Sequence, residues 1–246
     1  EFHNAATKVK ALGKGATGFS EGGTGAWNVL PWIWSNGGSI TNDDYTQATG
    51  HLNSDATIGA IELLQGWLKD GLITQTILGG SGLSTSQEIA EGKVAMIVDG
   101  PWMPAIFKAQ YPDFKYELAP FPSGPGGSIS VVGGEDIVMF ASSKNKPAAL
   151  AFMEFITTPE PQIDFAQTGQ MSVLTDLGAG AKVPDYFPVF QEQLKTAKPR
   201  TPSPAWPKID EAIGNAVLQV LNGEVDAKSA LGDAAGTIDG LLAKYK

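Results

Sequence analysis

The sequence predicts an α/β protein, and three observations carry that prediction. Residues 94–98, VAMIV, form an unbroken apolar run of strand length. Residues 53–71 place Ile58, Ile61, Leu64 and Leu68 on one helical face. The C-terminal third, apart from a proline cluster, is patterned almost wholly as helix. Short apolar runs alternating with helical periods are the mark of strands that pair in parallel under a cover of helices.

Taken in order, Phe2, Ala5, Val9 and Leu12 recur at helical spacing, and Gly13 and Gly15 stop that helix. GATGFS reads as a short strand, and a glycine loop then feeds an aromatic-rich helix that ends before Gly37 and Gly38. The helix at 53–71 has Asn53, Ser54 or Asp55 to cap its start. The run at 94–98 has the pattern of a strand covered on both faces, and residues 102–110 are predicted to be helical. After the turn cluster FPSGPGG, a second buried strand is expected at 137–141, IVMFA. Pro147 suits a first helical turn, with Leu150, Met153, Phe155 and Ile156 on the apolar side. Further helices are expected at about 159–168, 185–195, 207–222 and 226–244. Between them KPRTPSPAWPK holds the chain extended, because each proline fixes its own φ and restricts the residue before it.

Composition removes several functions. With 246 residues, 42% of them hydrophobic and 17% charged, the chain can bury a core and is too apolar to be disordered. A net charge of -9 opposes nucleic acid and anionic lipid, which need a basic footprint. Without cysteine there are no disulfides, thiolate nucleophiles or cysteine metal sites. No apolar run reaches the roughly 18 to 20 residues of a membrane span. Gly13, Gly15 and Gly18 satisfy G-x-G-x-x-G, but the match leaves a helix and enters a strand, the reverse of the order that puts a pyrophosphate on a helix N-terminus. His3 and His51 have no partner at metal-ligand spacing, and Asn42, Asp43 and Asp44 read as a solvated turn. No cofactor and no metal is expected, and the G-x-S-x-G elbow of serine hydrolases is missing.

The tryptophans are the informative residues. Trp32, Trp34 and Trp67 sit on helical faces and are expected in the core. Trp27 follows a glycine loop, Trp102 follows a strand end and a Gly-Pro turn, and Trp206 lies in the proline strap. In α/β proteins the crevice beyond the strand ends collects ligands, so indoles at these boundaries are placed to line a site. A flat aromatic face covers the apolar C–H side of a sugar ring, while Glu21, Asn28, Asp99, Glu135 and Asp136 offer groups for its hydroxyls. Asp99 equally suits the cap of the helix that begins near Trp102, and Glu135 with Asp136 the end of a loop.

Three stretches carry a family resemblance: EIAEGKVAMIVDGPWMPAIF, VVGGEDIVMFASSKNKPAALAFMEFITTPEPQIDFAQTGQMSV and PSPAWPKIDEAIGNAVLQVLNGEVDAKSAL. With Glu88 to Trp102 and the helix start at Ser143 to Ala149 as its strongest parts, the chain resembles the extracellular solute-binding proteins of ABC transporters, in the sugar-binding group that includes maltose-binding protein. The resemblance implies a type II periplasmic-binding-protein-like fold of two lobes that close on a ligand in the cleft between them, without catalysis. It implies capture of an oligosaccharide or related sugar outside the membrane, in the periplasm or on a lipid-anchored protein, for delivery to a membrane permease. Trp102 takes the place of the family's stacking aromatic after Gly-Pro, Trp27 and Trp206 those of cleft aromatics, and Gly133, Gly134 and Glu135 lie where the chain returns to the first lobe.

On this mapping residues 1–130 are second lobe, 131–179 a returning first-lobe segment, and 180–246 helices that pack on the second lobe. Members usually open with a first-lobe βαβ region, and this sequence starts after it. The expectation is that this part has been removed, is unresolved, or comes from another chain. Two rival classes remain open. A carbohydrate-active enzyme needs paired carboxyls about 5 to 10 Å apart, for which Asp99 with Glu135 or Glu21 are the candidates. A protein-interaction lobe would use the same aromatics on a partner.

Overall fold

Strand β1 (Thr17–Ser20) runs parallel to β2 (Val94–Ile97), with Thr17 opposite Val94 and Phe19 opposite Met96. Helix α1 (Phe2–Ala11) crosses close to β1, and Gly18 is what allows the approach. A Cβ at position 18 would lie 2.4 Å from that of Ala6, closer than any side chain tolerates. The backbone of Phe19 is tied to the segment after α3 (Asp55–Lys69): its N–H donates to Leu72 O at 3.0 Å and its C=O accepts from Thr74 N at 3.1 Å. The computed structural model describes residues 1–79 and 82–245, and these form two compact units.

The first unit comprises Glu1–Asp99, Pro120–Val132 and Gln193–Lys246. Helix α2 (Ala26–Ser35) is apolar all round and buried nearly all round, as a helix without a polar face must be. It packs with α3, α9 (Trp206–Asn222) and α10 (Ala227–Leu242) around Leu30, Ile33, Ile61, Leu64, Ile213, Val217, Leu231 and Ile238. Both α3 and α10 start on side-chain caps: Ser54 accepts from Thr57 N, and Asp226 from Ser229 N at 2.9 Å. Trp32, Trp34 and Trp67 are buried as expected. Trp32 and Trp67 meet edge to face at 5.6 Å, within a cluster that includes Phe2 and Phe19. His3 stacks on Trp67, and His51 Nδ1 lies 3.4 Å from Ser39 Oγ.

Two later segments complete this unit. Short strands β3 (Val131–Val132) and β4 (Lys198–Pro199) pair in parallel. Around them Gln193 Oε1 accepts from Phe121 N at 2.7 Å, and Thr196 Oγ1 donates to Ser128 O at 2.6 Å. Ser35, at the end of α2, exchanges two hydrogen bonds with the backbone of Ile129. The proline strap is therefore fixed at its start by a strand and at its end by α9.

A buried carboxylate ties β1 to the helix before β2. Glu88 lies in α4 (Thr85–Ala90) and is almost wholly enclosed. Its Oε1 accepts from Thr76 Oγ1 at 2.7 Å, and its Oε2 accepts from the hydroxyls of Ser20 and Thr74. This is the structural role of the first residue in the Glu88-to-Trp102 pattern.

The second unit comprises Gly100–Ala119 and Gly133–Glu192. It holds α5 (Met103–Gln110), α6 (Lys146–Ile156) and α7 (Pro159–Ala166), and α8 (Phe187–Leu194) begins in it. Prolines occupy the first turns of α5, α6 and α7, where their missing N–H costs nothing. Phe107, Phe114 and Tyr116 form one aromatic cluster, with centroids 4.9 to 5.8 Å apart, and Tyr186 packs on Phe187 and Phe190.

Two strand expectations need correction. Residues 94–97 form a strand, but only Val94 is buried and Ala95 is exposed, because a two-stranded sheet leaves part of β2 without cover. Residues 137–141 form no strand: Val138 is 68% and Phe140 76% exposed. A strand needs a neighbour for its backbone groups, and among the described residues no segment pairs with this run. The apolar side of α6 is likewise outward, with Leu150, Phe152 and Phe155 exposed.

Candidate ligand-binding site

The first unit assembles a platform where β1 hands the chain to α2. Glu21 follows the strand and is 1% exposed. The glycine-rich loop after it brings Gly25 to the helix N-cap, a position where glycine has no side chain to accept from the helix N–H groups. Asp210, from α9, supplies the acceptor instead: its Oδ1 takes the hydrogen bond of Ala26 N at 2.6 Å. A carboxylate there also faces the positive end of the helix dipole.

Trp27 is the second residue of α2 and is 37% exposed, whereas the tryptophans further along the same helix are enclosed. Trp206, the first residue of α9, is half-buried and lies one turn before Asp210, so the two share a face. Arg200 joins the indoles. Its Cζ lies 5.6 Å from the centroid of the Trp27 ring and 5.9 Å from that of Trp206, within cation–π range of both. Two of the three boundary indoles, Trp27 and Trp206, are thus linked in this unit through Arg200, a residue that sequence reasoning passed over. The available signal was composition: Arg200 is the chain's only arginine, set in the strap between two prolines, Pro199 and Pro202.

Beneath the platform Glu21 accepts three hydrogen bonds. Oε1 accepts from Asn28 Nδ2 at 2.9 Å and from Gly22 N at 3.0 Å, and Oε2 from Trp32 Nε1 at 2.9 Å. Burial pushes its carboxyl up to about 7 from 4.5, against these three donors and with a small added push from Asp99. Expected among the hydroxyl-reading groups, Glu21 is instead an enclosed support for the loop. Asn28, half-buried, spends a donor on it. Asp99 is exposed at the end of β2, and its Oδ2 accepts from Thr85 Oγ1 at 3.0 Å.

Trp102 belongs to the second unit, at the start of α5, and is half-buried. Its indole lies over Gly100: a Cβ added there would come within 2.4 Å of three ring carbons. The glycine of the Gly-Pro-Trp turn therefore serves as the seat of the ring. Gly133, Gly134 and Glu135 also fall in this unit and are exposed, directly after β3.

The fold is that of the solute-binding proteins. The chain matches the structure of an ABC transporter solute-binding protein from Thermotoga lettingae, bound with alpha-D-tagatose, at a TM-score of 0.85 and 25% identity, covering 98% of this chain and 63% of that one. The chain belongs to the bacterial extracellular solute-binding protein family, whose model matches residues 1–163. A binding protein of Brucella abortus (strain 2308) is 28% identical over 99% of the chain and 60% of its own length. The maltooligosaccharide ABC transporter solute-binding lipoprotein of Streptococcus pneumoniae (strain ATCC BAA-255 / R6) is 26% identical over 76% of the chain and 45% of its own. The chain thus spans about 60% of the length of the Brucella relative. The expected type II fold and the resemblance to ABC-transporter solute-binding proteins both hold.

Proposed function

We propose that this chain is the substrate-binding component of an ABC sugar importer, which binds an oligosaccharide or a related sugar reversibly and passes it to a membrane permease. The observation that carries the reading is the pair of indoles, Trp27 exposed and Trp206 half-buried, held through Arg200 at the starts of two helices. Such surfaces suit the apolar faces of pyranose rings. Within the same unit Asn28 and Asp99 offer polar groups for hydroxyls; the second unit, by itself, presents the Trp102 ring seated on Gly100 and the exposed Glu135. The maltooligosaccharide receptor among its relatives supports the same ligand class.

An enzyme with paired carboxylates is disfavoured by the placement of Glu21, whose two oxygens are both taken by protein donors. The family is one of extracellular solute-binding proteins. Placement in the periplasm or on a lipid anchor, the substrate-binding role of Gly133, Gly134 and Glu135, and the assignment of residues 131–179 to a first lobe belong to the same proposal. Calorimetry against mono- and oligosaccharides tests it. Saturable binding of at least one of them, without turnover, is the expected result; heat from none, or steady release of shorter products, overturns it.

A further inference from the structure

Arg200 is the single guanidinium in a chain of 17 basic and 26 acidic residues. An arginine in so acidic a protein has many carboxylates to choose from. Among the described residues none forms an ion pair with it, and no protein acceptor takes its N–H groups. It lies against two indoles instead. Contact with aromatic faces satisfies the flat sides of a guanidinium and leaves the donors along its edges, which lie in the plane, unspent. A half-buried charge without an acceptor is costly unless something else completes its shell.

The backbone beneath Arg200 is built for placement. Pro199 ends β4, Thr201 and Ala205 are buried on either side of Pro202 and Pro204, and α9 follows at once. A side chain on such a strap is delivered to one place, which is what a recognition residue requires.

We infer that Arg200 contacts the ligand directly, its edge donors taking two neighbouring oxygens while the indoles hold the guanidinium in place. The inference rests on the sugar-binding reading above. A pair of adjacent ring hydroxyls and the carboxylate of a uronic acid both present two oxygens to the fork, so the shared chemistry is a bidentate oxygen acceptor. Lysine has the charge but lacks the fork.

The test uses the full protein and its Arg200→Lys and Arg200→Met variants, titrated calorimetrically with a maltooligosaccharide, a galactooligosaccharide and an oligogalacturonide. For whichever sugar the wild type binds, affinity is expected to fall at least tenfold in both variants, with unfolding midpoints unchanged. Loss on the oligogalacturonide, steeper at low salt, identifies a carboxylate; equal loss at all salt concentrations on a neutral sugar identifies hydroxyls. Wild-type affinity in Arg200→Lys overturns the inference and leaves the sugar-binding reading intact. If the wild type binds none of the sugars, both fall together.

Discussion

The indole N–H of Trp32 donates to Oε2 of Glu21 at 2.9 Å, so a core aromatic holds the carboxyl that supports the loop in front of Trp27. The same carboxyl titrates near 7 in the folded protein, against 4.5 for an ordinary glutamate. Below pH 4.5 folded and unfolded chains both carry this proton. Between 4.5 and about 7 only the folded chain keeps it, so the stability contribution falls as pH rises and is level above. The size is on the order of 3 kcal/mol. Glu21→Gln, which cannot ionise, is expected to remove that slope. Urea unfolding of both proteins across the window decides: a constant difference between them would contradict the assignment.

Glu88 gathers the hydroxyls of Ser20, Thr74 and Thr76 inside the first unit. Glu88→Ala removes their acceptor and leaves a gap, at an expected cost of about 3 kcal/mol. Glu88→Gln keeps one acceptor oxygen and should lose less. Denaturant midpoints measure both, and an alanine variant as stable as wild type would show the network to be dispensable.

Asp210 caps α2 from another helix. Asp210→Ala should cost about 1 kcal/mol of stability, the usual worth of an N-cap. Because the capped helix carries Trp27, sugar affinity should drop as well, while Asp210→Asn retains most of both. Thermal unfolding and calorimetry on the two variants test the pairing.

Gly100→Ala places a methyl where the Trp102 ring now lies. The ring must move, and its contribution to sugar stacking should vanish, a loss of about tenfold in affinity, or about 1.4 kcal/mol. Near-ultraviolet circular dichroism should change in parallel, and Trp102→Ala should give the same affinity as the double variant. Unaltered binding in Gly100→Ala would show that the Trp102 ring does not contact the sugar.

Much of this was legible in the chain because local signals and packing agreed. Ser54 before an apolar face marked the start of α3, Pro147 marked the first turn of α6, and the glycines after Ser35 marked the end of α2. Residues 137–141 misled because an apolar run states what a segment would bury, and a strand also needs a neighbour to pair with. Glu21 misled for a related reason: acidity and position next to a loop suggested a surface group, and only the surrounding Trp32, Asn28 and Gly22 donors make enclosure tolerable. Arg200 and Asp210 act on residues far away in sequence, Trp27 and Ala26, and no spacing rule along the chain connects them.

Val138, Phe140, Phe152 and Phe155 point their hydrocarbon outward in the second unit. Bare surface of that kind is sticky. Concentrated stocks should scatter light, brighten the dye anilinonaphthalene sulfonate and clear again in mild detergent, so dilute handling belongs with every sugar titration.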